Sequence, residues 1–134
     1  SLNVARVSKN NIEISAAAMP PTYLFKSKSK KCEELMIEGL PLGGLKDEKF
    51  DIEKHKFESG DILVMLSDGL PEAANDKNEM FDYERIKLII EKNGHKKSNE
   101  LKQILFDKLN FWLSGEIPED DVTIVIVKKM AQNK

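Results

Sequence analysis

Five consecutive apolar residues, Ile62-Leu-Val-Met-Leu66, stand between Gly60-Asp61 and Ser67-Asp68-Gly69. A run with no polar alternation is apolar on both faces of a strand, so it predicts a strand covered from both sides. Asp68 is then the first group beyond the run that can reach water or a cation. A second run, Val122 to Val127, is apolar except for Thr123 and follows Glu119-Asp120-Asp121. The acid follows the strand in the first case and precedes it in the second. If the two strands are antiparallel neighbours, Asp68 and Asp120 meet at one edge of a sheet.

The rest of the chain reads as strands first and helices second. Asn3 to Val7 and Ile12 to Ala17 flank the turn-rich Lys9-Asn10-Asn11, which suits a hairpin. Pro20-Pro21 breaks the chain. Tyr23 to Phe25 and Glu34 to Ile37 are further strand candidates around a lysine-rich turn. Gly39-Leu-Pro-Leu-Gly-Gly44 and the polar Lys46 to Lys54 read as loop, and Ser59-Gly60-Asp61 as a turn into the buried strand. Asp82 is a candidate N-cap for a helix over Tyr83 to Lys92, with Asn93-Gly94 as a left-handed stop. Ser98 is a candidate cap for a second helix, on which Leu101, Ile104, Leu105, Leu109 and Trp112 form one stripe, ending at Ser114-Gly115. The last strand is expected from Val122. Strands, two helices and a returning strand describe an α+β layer arrangement.

At 134 residues and 40% hydrophobic content, one domain over residues 1–134 is expected, with a core that needs no disulfide. Net charge is −2, with 21 basic residues among 23 acidic ones, which gives no electrostatic reason to expect nucleic acid. Lys26, Lys28, Lys30 and Lys31 read as a solvated loop or strand edge. The lone Cys32 has no CxxC partner and reads as a packed hydrophobe in a reducing compartment. No apolar stretch is long enough for a membrane span, and Ser1 to Asn10 lacks a signal-peptide layout, so a cytoplasmic protein is expected.

Carboxylates at a sheet edge favour magnesium or manganese, which take oxygen ligands and keep several waters. His55 and His95 are isolated, which argues against zinc. No Gly-x-Ser-x-Gly element, histidine-based nucleophile or phosphate loop is present, so covalent catalysis is not expected. Each acid also has a plainer reading, because Asp-Gly after a strand and Asp-Asp before one are common turns.

The order of five segments carries more. Ala17-Ala-Met-Pro-Pro21, Gly39-Leu-Pro-Leu-Gly43, Gly60 to Ala73, Glu79-Met-Phe81 and Asp120-Asp-Val-Thr123 together resemble the C-terminal part of bacterial metal-dependent serine/threonine phosphatases of the PPM family. The branch resembled is that of sporulation stage II protein E and RsbU. The resemblance implies part of an antiparallel β-sandwich flanked by helices, with a centre of two manganese or magnesium ions at one end. It implies Asp68 and Asp120 as metal ligands, Gly69 as a close turn beneath the metal, and Asp121 as a supporting or turn residue. The implied reaction is hydrolysis of phosphoserine or phosphothreonine on a regulatory protein, such as an anti-sigma-factor antagonist, by a water activated between the metals.

The departures are informative. Ala18 stands where the family pattern has glycine, and Ser67 where it has threonine. The family's Gly-Gly-Asp segment, whose acid bridges the two metals, has no counterpart before Ala17. The chain therefore reads as a portion whose N-terminal strands are missing, inactive alone, holding metal weakly, and self-associating through the surface those strands would cover. The rival expectations are a metal-free module that only docks a partner, and a structural fragment whose acids are turn residues.

Overall fold

The computed structural model describes residues 1–131. Two antiparallel sheets stack face to face, and two helices cover the outer face of one of them. The smaller sheet has the order β1-β2-β5, from β1 (Leu2–Val7), β2 (Asn11–Ala17) and β5 (Glu53–Lys56). The larger has the order β4-β3-β6-β7, from β3 (Thr22–Lys26), β4 (Lys31–Leu35), β6 (Ile62–Leu66) and β7 (Ile124–Lys128). Helices α1 (Tyr83–Asn93) and α2 (Ser98–Leu113) lie between β6 and β7 in sequence. This is the expected α+β sandwich, with helices on one side.

β6 shows why its sequence does not alternate. Ile62, Val64 and Leu66 point into a core shared with the helices, while Leu63 and Met65 point into the core between the sheets. β3 does the same, sending Tyr23 and Phe25 to the helices and Leu24 to the other sheet. The helices answer with Ile86, Ile90, Leu101, Leu105, Leu109 and Leu113, all buried. The smaller sheet answers with Ile12, Ile14 and Ala16. Each fully buried Ile or Leu contributes about 1.5–3 kcal/mol, so β6 is anchored from both sides and its ends are fixed in place.

Several local expectations need correction. The polar stretch Lys46 to Lys54 is not all loop, because Glu53–Lys56 pairs with β2 as a strand. Its half-exposed face and charged composition hid it. The strand expected over Glu34 to Ile37 instead runs Lys31–Leu35, because Lys30 at φ 57° makes the turn tight enough for pairing to start at Lys31. Gly94 is not left-handed, with φ −62°. It is needed because a Cβ there would sit 2.5 Å from the Phe25 ring, so the small residue serves a close approach and not a reversal. Ser98 is inside α2 and Lys97 holds the cap position, its backbone N–H donating to the Glu100 carboxylate at 2.9 Å. β7 starts at Ile124, two residues later than expected. Asp82 does cap α1, accepting from the Tyr83 N–H.

Candidate metal-binding end of the sandwich

β6 and β7 pair antiparallel from Ile62↔Lys128 to Leu66↔Ile124, which puts the residues after β6 beside those before β7. The pairing outlasts the strands. The Ser67 N–H donates to the Thr123 carbonyl at 3.0 Å, and the Ser67 hydroxyl donates to the Asp121 carbonyl while accepting the Thr123 N–H, both at 2.9 Å. One side-chain oxygen thus replaces a missing rung of the ladder, a task that any hydroxyl residue can perform.

Gly69 closes this contact. A Cβ at that position would stand 2.5 Å from the Asp121 carbonyl oxygen and 3.1 Å from that of Asp120. The backbones bearing Asp68 and Asp120 therefore meet at one end of the sheet, as the two runs predicted. Among the described residues the Asp68 carboxylate, which is exposed, has no hydrogen-bond or ion-pair partner, whereas Asp120 accepts its neighbour's backbone N–H from Asp121 at 2.7 Å. The two side chains line separate concavities. Asp68 borders a cleft of about 370 Å³ with Met19, Pro20 and Asn3, and Asp120 a depression of about 410 Å³ with Ile117 and Pro118.

Other quoted segments converge here. Ala18-Met19-Pro20 forms a wall of the Asp68 cleft. Ala18 adopts φ 50°, a left-handed conformation that costs a non-glycine residue roughly 1–2 kcal/mol. That explains in backbone terms why glycine is the usual residue there. Gly39 buttresses the same segment, its carbonyl accepting the Ala18 N–H at 3.0 Å. Glu79-Met80-Phe81 pins the loop after Asp68: the Phe81 N–H donates to the Ala73 carbonyl at 2.8 Å, and Met80 bridges Ala74.

Two neighbours escaped sequence reasoning. Asn3 Oδ1 is buried against the Asp68 cleft with no hydrogen-bond partner, while its Nδ2 donates to the Thr22 hydroxyl at 2.9 Å. Nothing in the local sequence marks it, since its position follows from β1 pairing with β2. The Tyr83 phenol is raised above its ordinary value, first by burial and then by the negative charges of Glu72 and Asp68. It reports the anionic field at this end of the molecule.

The donors suit a hard cation in kind, being carboxylate oxygens with open access. No group of three or more His, Cys, Asp or Glu side chains gathers among the described residues. The histidines lie elsewhere: His55 faces Glu53 at 3.0 Å on β5, and His95 follows α1. Cys32 is buried, its thiol pushed up to about 12 chiefly by desolvation, and is no nucleophile at neutral pH. No helix among the described residues is long and apolar enough to cross a membrane.

A family described as Stage II sporulation protein E (SpoIIE) matches residues 2–129. Protein IcfG of Synechocystis sp. is 26% identical over 124 residues, covering 92% of this chain and 19% of the relative. Phosphoserine phosphatase RsbU of Bacillus subtilis is 22% identical over 123 residues, covering 92% of this chain and 36% of the relative. The chain thus spans between a fifth and a little over a third of these relatives. Among solved structures, the manganese-presoaked phosphatase domain of SpoIIE from Bacillus subtilis superposes with TM-score 0.76 at 16% identity, covering 99% of this chain and 58% of that one. The SiaA-PP2C domain of Pseudomonas aeruginosa gives 0.72 at 16% identity, covering 90% of this chain and 47% of that one. At these identities the superpositions speak to the fold.

Proposed function

The chain belongs to the stage II sporulation protein E family, and from that premise we propose that it supplies two metal-binding carboxylates, Asp68 and Asp120, to a protein serine/threonine phosphatase. The observation that carries the reading is the junction after β6 and before β7, where Gly69 lets the two acid-bearing backbones touch and the exposed Asp68 carboxylate has no protein partner among the described residues.

Asp68 and Asp120 would hold manganese or magnesium. When bound, such a cation lowers the pKa of a water and offsets phosphoryl charge, which suits a sequence without a Gly-x-Ser-x-Gly element or a histidine-based nucleophile. The protein's part is positional. Ser67 locks the end of β6 to Asp121, the Asp121 N–H fixes one Asp120 oxygen, and Met19 and Pro20 wall the cleft beside Asp68. The substrate class is a phosphoserine or phosphothreonine on a regulatory protein, with an anti-sigma-factor antagonist as the candidate in this branch. Two carboxylates retain two divalent ions poorly, so the isolated chain is expected to turn over little.

The test is manganese-dependent phosphate release from a phosphoserine protein by the full-length protein that carries this chain, beside its Asp68→Asn variant. Turnover that falls at least 100-fold in the variant supports the reading. Equal turnover in both sinks the assignment of Asp68. A second reading, a metal-free module that docks a partner, draws on the shortage of gathered acids. It predicts no turnover in either protein and no effect of manganese on the unfolding midpoint.

Self-association is proposed through the cleft side of the sandwich. There the edge strands β1 and β7 leave Leu2 and Val125 nearly half exposed, and unpaired strand edges invite pairing. Sedimentation equilibrium showing a monomer at high concentration refutes it.

A further inference from the structure

Each helix carries two stripes. The buried one, Ile86 and Ile90 on α1 with Leu101, Leu105, Leu109 and Leu113 on α2, is used up against the sheet. The other borders one open groove of about 530 Å³: Arg85, Leu88, Ile89 and Lys92 on α1, and Ile104, Lys108, Phe111 and Trp112 on α2, with Ile89 and Trp112 half-buried against the core and the rest of the stripe beside them. On both helices these residues follow the three- and four-residue spacing of a single face.

The groove is apolar along its floor and cationic along its rim. Phe111 is 83% exposed and Leu88 58% exposed, large costs for side chains with no structural task in view. Trp112 forms one wall, edge-on to Phe81, with the Arg85 guanidinium 4.1 Å from its ring centroid. Arg85, Lys92 and Lys108 are the charged groups bordering the groove, and no carboxylate among the described residues forms an ion pair with any of them. A chain of net charge −2 has thus gathered around an apolar trough three cations with no carboxylate partner among the described residues, one of them, Arg85, stacked on Trp112. Charge complementarity names the occupant's sign, and a trough lined by residues of both helices at three- and four-residue spacing suits a helix.

We propose that the α1–α2 groove is a docking site for an acidic amphipathic helix of a partner protein. Its apolar face would seat on Leu88, Phe111 and Trp112 through residues spaced i, i+3, i+4 and i+7, and its carboxylates would meet Lys92, Lys108 and Arg85. α1 has 11 residues, about 16 Å of axis, so the contact is about three turns long. The groove shares no lining residue with the Asp68 cleft or the Asp120 depression and needs neither metal nor phosphate, so it stands or falls apart from the phosphatase reading.

Trp112 is the sole tryptophan of the chain, so its emission reports the groove directly. The probe is a synthetic 14-residue helical peptide with leucines at i, i+3, i+4 and i+7 and glutamates on its flanks, titrated into the full chain without metal. Its counterpart carries lysine at every glutamate. The expected result is a blue shift of Trp112 emission with the acidic peptide alone. Affinity should fall at least tenfold in Phe111→Ser and in Lys92→Glu/Lys108→Glu, and the charge-reversed variant should prefer the lysine peptide. Both changes are at exposed positions, and circular dichroism unchanged from the parent confirms that the helices persist. Equal binding of the two peptides, or no shift with either at millimolar concentration, overturns the proposal. So does a concentration-dependent dimer that Phe111→Ser abolishes, because the occupant would then be a second copy of this chain.

Discussion

β6 carries an aspartate and a glycine at each end, and the two ends have opposite characters. At the entry, Asp61 is 2% exposed and fully engaged, accepting from Lys26 Nζ at 2.5 Å, the Ser27 N–H at 2.8 Å and the Glu58 N–H at 3.0 Å. At the exit, Asp68 is exposed with no protein partner among the described residues. A buried charge persists only when paired and hydrogen-bonded, so Asp61 holds the fold together. An unpaired acid at a rigid strand end adds nothing to the fold and remains free to bind.

Replacement of each acid by alanine separates the two ends most sharply. Asp61→Ala strands the largely buried Lys26 ammonium and two backbone donors, and should lower stability by about 3 kcal/mol, read as a reduced urea midpoint. Asp68→Ala should leave that midpoint within about 0.5 kcal/mol in the absence of metal, while abolishing any rise that manganese confers on the wild type. Comparable losses at the two positions would collapse the distinction.

The glycines extend the contrast. Gly60 sits at φ 88° with a virtual Cβ 2.5 Å from the Ser27 hydroxyl oxygen, which can rotate away, and 2.9 Å from the Ser27 Cβ, which cannot. At Gly69 the obstruction is the Asp121 backbone itself. Gly69→Ala must therefore part the loops that bear Asp68 and Asp120, costing about 1–3 kcal/mol and weakening manganese binding at least tenfold. Gly60→Ala, with backbone strain of about 1–2 kcal/mol, should lower stability and leave metal affinity unchanged. In the opposite direction, Ala18→Gly should raise stability by up to about 1 kcal/mol, the relief of its left-handed φ being partly offset by the entropy of glycine in the unfolded chain. Chemical denaturation beside a metal titration checks all three.

How much of this was legible beforehand depends on whether a residue's role is local. The double coverage of β6, the hairpin before β2, the cap at Asp82 and the apposition of Asp68 with Asp120 were readable, because apolar runs and turn residues report their own surroundings. Asp61 was read only as part of a turn, although it is the best-satisfied acid beside that strand, because its partners Lys26 and Ser27 lie 35 and 34 residues away. Gly94 was legible as a necessary glycine but not for its reason, which is the Phe25 ring arriving from another strand. β5 was invisible because its Glu-Lys-His-Lys sequence carries no alternation of apolar and polar residues, and only pairing with β2 makes it a strand. The unpaired cations of the helix groove likewise require both helices to be placed before they become a rim.

The smallest effect tests whether a half-buried surface acid contributes to the fold when its partners are fixed. Glu91 on α1 accepts the Cys32 N–H at 3.0 Å and faces Lys31 Nζ at 3.1 Å, tying the helix to the edge strand β4. Its carboxyl is held below the ordinary 4.5, first by the Cys32 N–H and then by Lys31. A depressed folded value means that the folded state favours the ionised form, so the contribution is complete above pH 4.5 and disappears as pH falls through the depressed value. Thermal midpoints of the wild type and Glu91→Gln should therefore differ by a degree or two at pH 6, and the gap should narrow as pH falls below 4.5, screening by solvent keeping it small. A gap that persists undiminished at pH 3 would mean that the amide had disturbed packing against β4, and that Glu91, like Asp68, makes no use of its charge in holding the fold.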